Sequence, residues 1–163
     1  MSPRARCTVD VVVQSPLWKA QRGAAALLRR AVAAAASMAS PAGGELAIVL
    51  TDDSTIRSLN RDWRRKDAPT NVLSFPAPPR AAGGVSGLLG DIVIAYETTE
   101  REARTEHKPF AHHLVHLAVH GFLHLAGYDH EADDEAEVME RLEAAILARL
   151  DVPDPYVARS ARV

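Results

Sequence analysis

The segment His120-Gly121-Phe122-Leu123-His124-Leu125-Ala126-Gly127-Tyr128-Asp129-His130 restricts the fold more than any other stretch of this chain. His120 and His124 are four residues apart, so on a helix their rings stand one turn apart on one face. That spacing lets two imidazole nitrogens reach one metal ion at about 2.0–2.1 Å. A third ligand cannot come from the same helix, because His116 would lie about 12 Å along the axis from His124 at a rise of about 1.5 Å per residue. The chain has to reverse, and Gly127 sits where a left-handed residue would close the helix. His130 then returns from the far side of the turn. His120, His124 and His130 are the candidate ligands of one zinc ion, with a fourth position left for water, as in catalytic rather than structural zinc sites. Zinc would lower the pKa of that water to about 7. The competing role is a histidine-rich helix face that packs or faces solvent.

The three histidines and the glycine keep the spacing of the metzincin pattern H-E-x-x-H-x-x-G-x-x-H. The glutamate that acts as general base in those proteases is replaced by Gly121. The spacing supports zinc, then, but not peptide hydrolysis by the usual route. Asp129 and His116 are candidates to orient a ligand imidazole or the bound water, and capping the turn is the alternative for Asp129. His112 and His113 read as surface or supporting groups, and His107 as exposed. The acidic run Glu131–Glu137 reads as a solvated helix start that suits the helix dipole, although a carboxylate there could serve as base.

The rest of the chain supplies a scaffold for this helix. Thr8–Gln14 is β-branched and predicts a strand. Leu17–Met38 has helical spacing and ends at the Ser-Pro-Ala-Gly-Gly segment, residues 40–44. Glu45–Leu50 predicts a strand, followed by a short helix through Ile56, Leu59 and Trp63 with N-cap residues at 51–54. Trp63 is assigned to the core, with base stacking as its other role. Arg64–Thr70 reads as a loop, Asn71–Phe75 as a short strand, Pro76–Gly87 as a surface loop and Leu88–Ala95 as a strand. Helices follow over Tyr96–Glu106 and Pro109–Ala126, and a last one runs through Leu150 with Asp133 or Asp134 as its cap. Residues after Pro153 read as a frayed tail. This order predicts one α+β domain over residues 1–163, with a small mixed sheet of about four strands.

Charge narrows the partner. A formal net charge of −2 argues against a basic surface overall but allows a local patch. Arg57, Arg61, Arg64, Arg65 and Lys66 fall within ten residues. Alone they would be the solvated face of a short helix, whereas beside a metal cleft they make a phosphate-binding patch. Arg64 could hold a phosphate bidentately and stabilise the charge that develops on it. One cysteine, Cys7, permits no internal disulfide and suits a reducing cytoplasm. No apolar run approaches the ~18 residues that a membrane span needs.

Three further segments join the histidine motif in carrying a family resemblance. The first is Leu59-Asn60 with Arg64, Lys66-Asp67 and Pro69-Thr70-Asn71-Val72-Leu73-Ser74-Phe75-Pro76. The others are Leu89-Gly90-Asp91-Ile92-Val93-Ile94 and Asp133-Asp134-Glu135-Ala136-Glu137. On these motifs the chain resembles the bacterial YbeY-type metallo-endoribonucleases of ribosomal RNA maturation, over about residues 45–150. The resemblance implies zincin-like helix placement and one zinc per chain on His120, His124 and His130. It implies cleavage of single-stranded RNA in 3′-end maturation of small-subunit (16S) ribosomal RNA and in ribosome quality control, with the small ribosomal subunit as partner in the cytoplasm. It places Arg64 near the metal cleft, while the basic cluster itself makes Arg61, Arg65 and Lys66 candidates for RNA contact. Trp63 stands where the family often has tyrosine, and Arg65 where glycine is common. No general base is assigned. Two alternatives stay open: a ribosome-assembly factor with a structural zinc, and a zinc-dependent peptidase or esterase, against which Gly121 counts.

Overall fold

Strand β4 (Leu88–Ala95) explains the layering, because its side chains are buried on both sides. Ile92 and Ile94 belong to the main core, while Val93 and Ala95 belong to a second cluster on the opposite face. The computed structural model describes residues 7–39, 44–78, 87–129 and 131–157. Within them β1 (Cys7–Val13), β2 (Gly44–Thr51), β3 (Val72–Pro76) and β4 form one sheet in the order β1-β2-β4-β3. The first three neighbours run parallel, and β3 lies antiparallel to β4 at the edge. This is the mixed four-stranded sheet of the α+β reading.

Helices α1 (Ala24–Met38), α4 (Phe110–Leu125) and α5 (Asp133–Arg149) supply the main core through Leu28, Leu114, Phe122 and Ile146, among others. Helix α2 (Asp53–Arg64) covers the other face, where Ile56 packs with Leu73, Val93 and Ala95. Helix α3 (Tyr96–Thr105) follows directly from β4. Strand β3 alternates between the two layers. Leu73 and Phe75 face the α2 cluster, while Val72 packs on the main core and the Ser74 hydroxyl donates to the Gly121 carbonyl of α4 at 3.1 Å. The edge strand is therefore the divide across which the two layers can both reach one cleft.

Four expectations are corrected. The helix predicted over Leu17–Met38 is broken: Pro16–Ala20 is a 3-10 helix, and α1 restarts at Ala24 behind Gly23, a residue with poor helix propensity. The cause of the break is Trp18, which is buried and donates its indole N–H to the Thr51 carbonyl at 2.8 Å. Trp63 is not core but 71% exposed, because it sits at the end of α2 beside the edge strand and, among the described residues, no strand lies beyond to cover it. Helix α5 has Ala132 at its N-cap with no side-chain cap bond, so Asp133 and Asp134 act from the first turn on the helix dipole. The tail is not frayed over 153–157, since the Tyr156 hydroxyl donates to Glu143 at 2.5 Å. Residues 158–163 lie outside the described residues, as do most of the loop over 76–87 and the helix stop over 40–43.

Candidate active site

Helix α4 presents His120 and His124 on one face, as their spacing requires. Gly127 then takes a φ of 101° and the Tyr128 amide donates to the Leu123 carbonyl at 2.9 Å, which closes the helix. The reversal brings the Tyr128 carbonyl to 3.1 Å from His124 Nδ1. His120 Nδ1 lies 2.6 Å from Glu143 Oε1 of α5. A carbonyl and a carboxylate only accept, so both histidines carry their proton on Nδ1 and turn an Nε2 lone pair outward. The two Nε2 atoms stand 3.0 Å apart. Two nitrogens at about 2.0–2.1 Å from a tetrahedral zinc would be separated by roughly 3.3 Å, so the pair fits two ligands of one metal ion. Imidazoles whose other nitrogen is held by a carboxylate or carbonyl are the usual surroundings of such a metal. His130 lies outside the described residues. Among the described residues no group of three histidine, cysteine or acidic side chains could hold a metal.

Glu143 is the residue that sequence reasoning missed. It is fully buried, and besides His120 it accepts from His116 Nε2 at 3.0 Å and from the Tyr156 hydroxyl. Burial by itself pushes this carboxyl up; hydrogen bonds from His116, His120 and the Tyr156 hydroxyl outweigh it and hold the pKa at about 2. A signal was present in the sequence. Glu143 lies four residues after Met139 and three before Ile146, on the face of α5 that is buried, and a carboxylate there needs partners. His116 is joined to His120 through this carboxylate, which makes it a member of the supporting network.

Gly121 explains why the protease glutamate has no place here. A Cβ at this position would stand 3.0 Å from Ile92 Cγ2 and 3.2 Å from Ser74 Oγ, because α4 lies directly on β3 and β4 there. The position faces the sheet, not the cleft.

A cleft of about 300 Å³ opens beside the histidines, lined by Arg64, Ser74, His124, Tyr128 and Asp129 among others. Arg64 enters from the last turn of α2 and His124 from the last turn of α4, over the edge strand. Asp129 lines the cleft, and Glu143 and the Tyr128 carbonyl bond the Nδ1 atoms of His120 and His124. Arg61, Arg65 and Lys66 do not line it and stand exposed around the end of α2. Arg61 pairs with Asp62 at 3.2 Å, and Arg65 closes α2 at a φ of 58°. That left-handed turn is the physical reason glycine suits position 65.

A second cavity of about 520 Å³ takes the upstream histidines, His112, His113 and His116. There Glu102 accepts from Asn71 Nδ2 at 2.8 Å and from His113 Nε2 at 2.9 Å. Burial pushes the Glu102 carboxyl up, but these bonds outweigh it and hold it below the ordinary glutamate value.

Comparison with known proteins agrees with the motif reading. The family model described as Endoribonuclease YbeY matches residues 15–151. An Endoribonuclease YbeY from Rhodopseudomonas palustris is 55% identical, over 98% of this chain and 86% of that relative. Another from Nitrobacter hamburgensis is 58% identical, over 90% of this chain and 80% of its own length. The solution structure of TM1509 from Thermotoga maritima superposes with a TM-score of 0.55 at 23% identity, covering 88% of this chain and 92% of that one. That likeness concerns the fold alone.

Proposed function

The chain belongs to the endoribonuclease YbeY family, and from that membership we propose that it cleaves single-stranded RNA with one zinc ion held by His120, His124 and His130. The biological substrate in this reading is the 3′ end of small-subunit ribosomal RNA, cut in the cytoplasm during maturation and quality control of the ribosome. One observation carries the reading: two histidine Nε2 atoms face each other at 3.0 Å beside a cleft that Arg64 shares with His124.

Bound zinc would supply a Lewis acid and a water of lowered pKa. The protein's own groups do the rest. Glu143 and the Tyr128 carbonyl hold the two imidazoles with Nε2 outward. Arg64 offers a guanidinium fork to the scissile phosphate and stabilises the charge that builds on its oxygens. Gly121 packs on the sheet, so the helix brings no glutamate base to the cleft, which disfavours the peptidase alternative.

The test combines metal analysis with cleavage of a single-stranded RNA. Wild-type protein should carry one zinc and lose cleavage when chelated. Arg64→Ala should keep its metal and lose on the order of 10²–10³-fold in rate, as when a charge-stabilising donor is removed. Full cleavage by a verified metal-free His120→Ala protein would falsify the reading.

A further inference from the structure

Trp63 has no structural task that accounts for it. Of the two tryptophans, Trp18 is 3% exposed and hydrogen bonded, whereas Trp63 is 71% exposed. A large ring left in water marks a binding surface more often than a packing choice. It is also held in place, since its ring meets Phe75 at 6.1 Å between centroids with the planes at 66°. Phe75 and the cleft share one strand: Ser74 and Pro76, on either side of Phe75, line the cleft. The residue after Trp63 is Arg64, which lines it too. Arg61, Arg65 and Lys66, all within three residues of Trp63 along the chain, are exposed as well.

We propose that Trp63, braced by Phe75, is a stacking platform for one unpaired nucleobase at the mouth of the cleft, beside the phosphate that Arg64 holds. The inference rests on the RNA-cleaving reading and deepens it. An exposed aromatic ring next in sequence to the arginine that lines the cleft suits a polyanion that carries flat apolar faces. A stacked base is recognised by its face, so the platform reads no sequence. It does read strandedness, because the faces of paired bases in a duplex are already covered by their neighbours. This assigns the single-strand preference to a named side chain.

The experiment measures binding and is independent of turnover. A short 2′-O-methyl oligoadenylate, its duplex and an abasic strand of equal length are titrated against zinc-loaded wild type, Trp63→Ala, Trp63→Phe and Arg64→Ala. Tryptophan emission should be quenched by the single strand and not by the duplex, because Trp18 is buried. Trp63→Ala should lose about 5- to 100-fold in affinity, the equivalent of one stacked base. Trp63→Phe should recover most of that loss. The abasic strand should bind wild type more weakly than the intact strand but should not discriminate against Trp63→Ala. Arg64→Ala should weaken both strands alike. Equal affinity of wild type and Trp63→Ala for the single strand would overturn the proposal and leave the ring to a protein partner. Absence of any single-strand binding by wild type would instead overturn the RNA reading beneath it.

Discussion

Glu143 Oε1 lies 2.6 Å from His120 Nδ1, and the carboxylate that makes this bond has no exposure to solvent. The bond decides which nitrogen of His120 faces outward. Glu143→Gln keeps the side chain's shape but has one accepting oxygen where the carboxylate has two. Zinc affinity should fall by on the order of 10–100-fold, the usual effect of losing such a partner, with the fold retained. Competition against a chromophoric chelator measures this, and an unchanged affinity would remove Glu143 from the site.

Tyr156 ties the segment after α5 to the same carboxylate through its hydroxyl at 2.5 Å. Tyr156→Phe removes a hydrogen bond to a charged, buried group and should cost about 1.5–3 kcal/mol. The urea midpoint reports the loss. Hydrogen exchange should also quicken at the Val152 amide, which donates to the Leu147 carbonyl. A midpoint equal to wild type would mean that the segment is not anchored by this bond.

Gly121→Ala sets two effects against each other. Helix propensity favours alanine by roughly 1 kcal/mol. The added Cβ, however, meets Ile92 Cγ2 at 3.0 Å, and Ile92 is fully buried in the centre of the sheet. The contact should win, with a net loss of about 1–2 kcal/mol from overpacking. Thermal unfolding checks the sign, and a stabilised variant would show that α4 can lift from β4.

Arg65→Gly should raise stability by about 1 kcal/mol, because the residue sits at a φ of 58° where a side chain is strained. The same change removes a cation next to the cleft, so RNA affinity should drop modestly and the salt dependence flatten. Denaturant titration and binding at two salt concentrations separate the two effects. A destabilised variant would count against strain at this turn.

Much of the site was legible because it is local. Two histidines four residues apart share a helix face whatever surrounds them, and Gly127 reverses the chain within the next turn. Trp63 was misjudged for the opposite reason. Its helical position beside Leu59 and Ile56 is compatible with burial, but burial depends on whether anything lies beyond β3, which is the edge of the sheet. The break before α1 was hidden in the same way. Trp18 leaves the helix to bond a carbonyl 33 residues away, and no local spacing announces that partner.

What the residues settle by themselves is whatever one helix or one turn can enforce: the facing pair His120 and His124, the closing glycine, and the cluster of cations ending at Lys66. Only the packed chain decides which carboxylate meets His120, on which side of the sheet Arg64 arrives, and which aromatic stays in water. Glu143 is 23 residues from His120, so their bond forms only once α5 has docked on α4. Arg64 and His124 line one cleft because the edge strand lets a helix from each face reach past it. Local geometry follows from bond angles and helical pitch. Long-range contacts follow from how apolar faces find cover, which no short stretch of sequence contains.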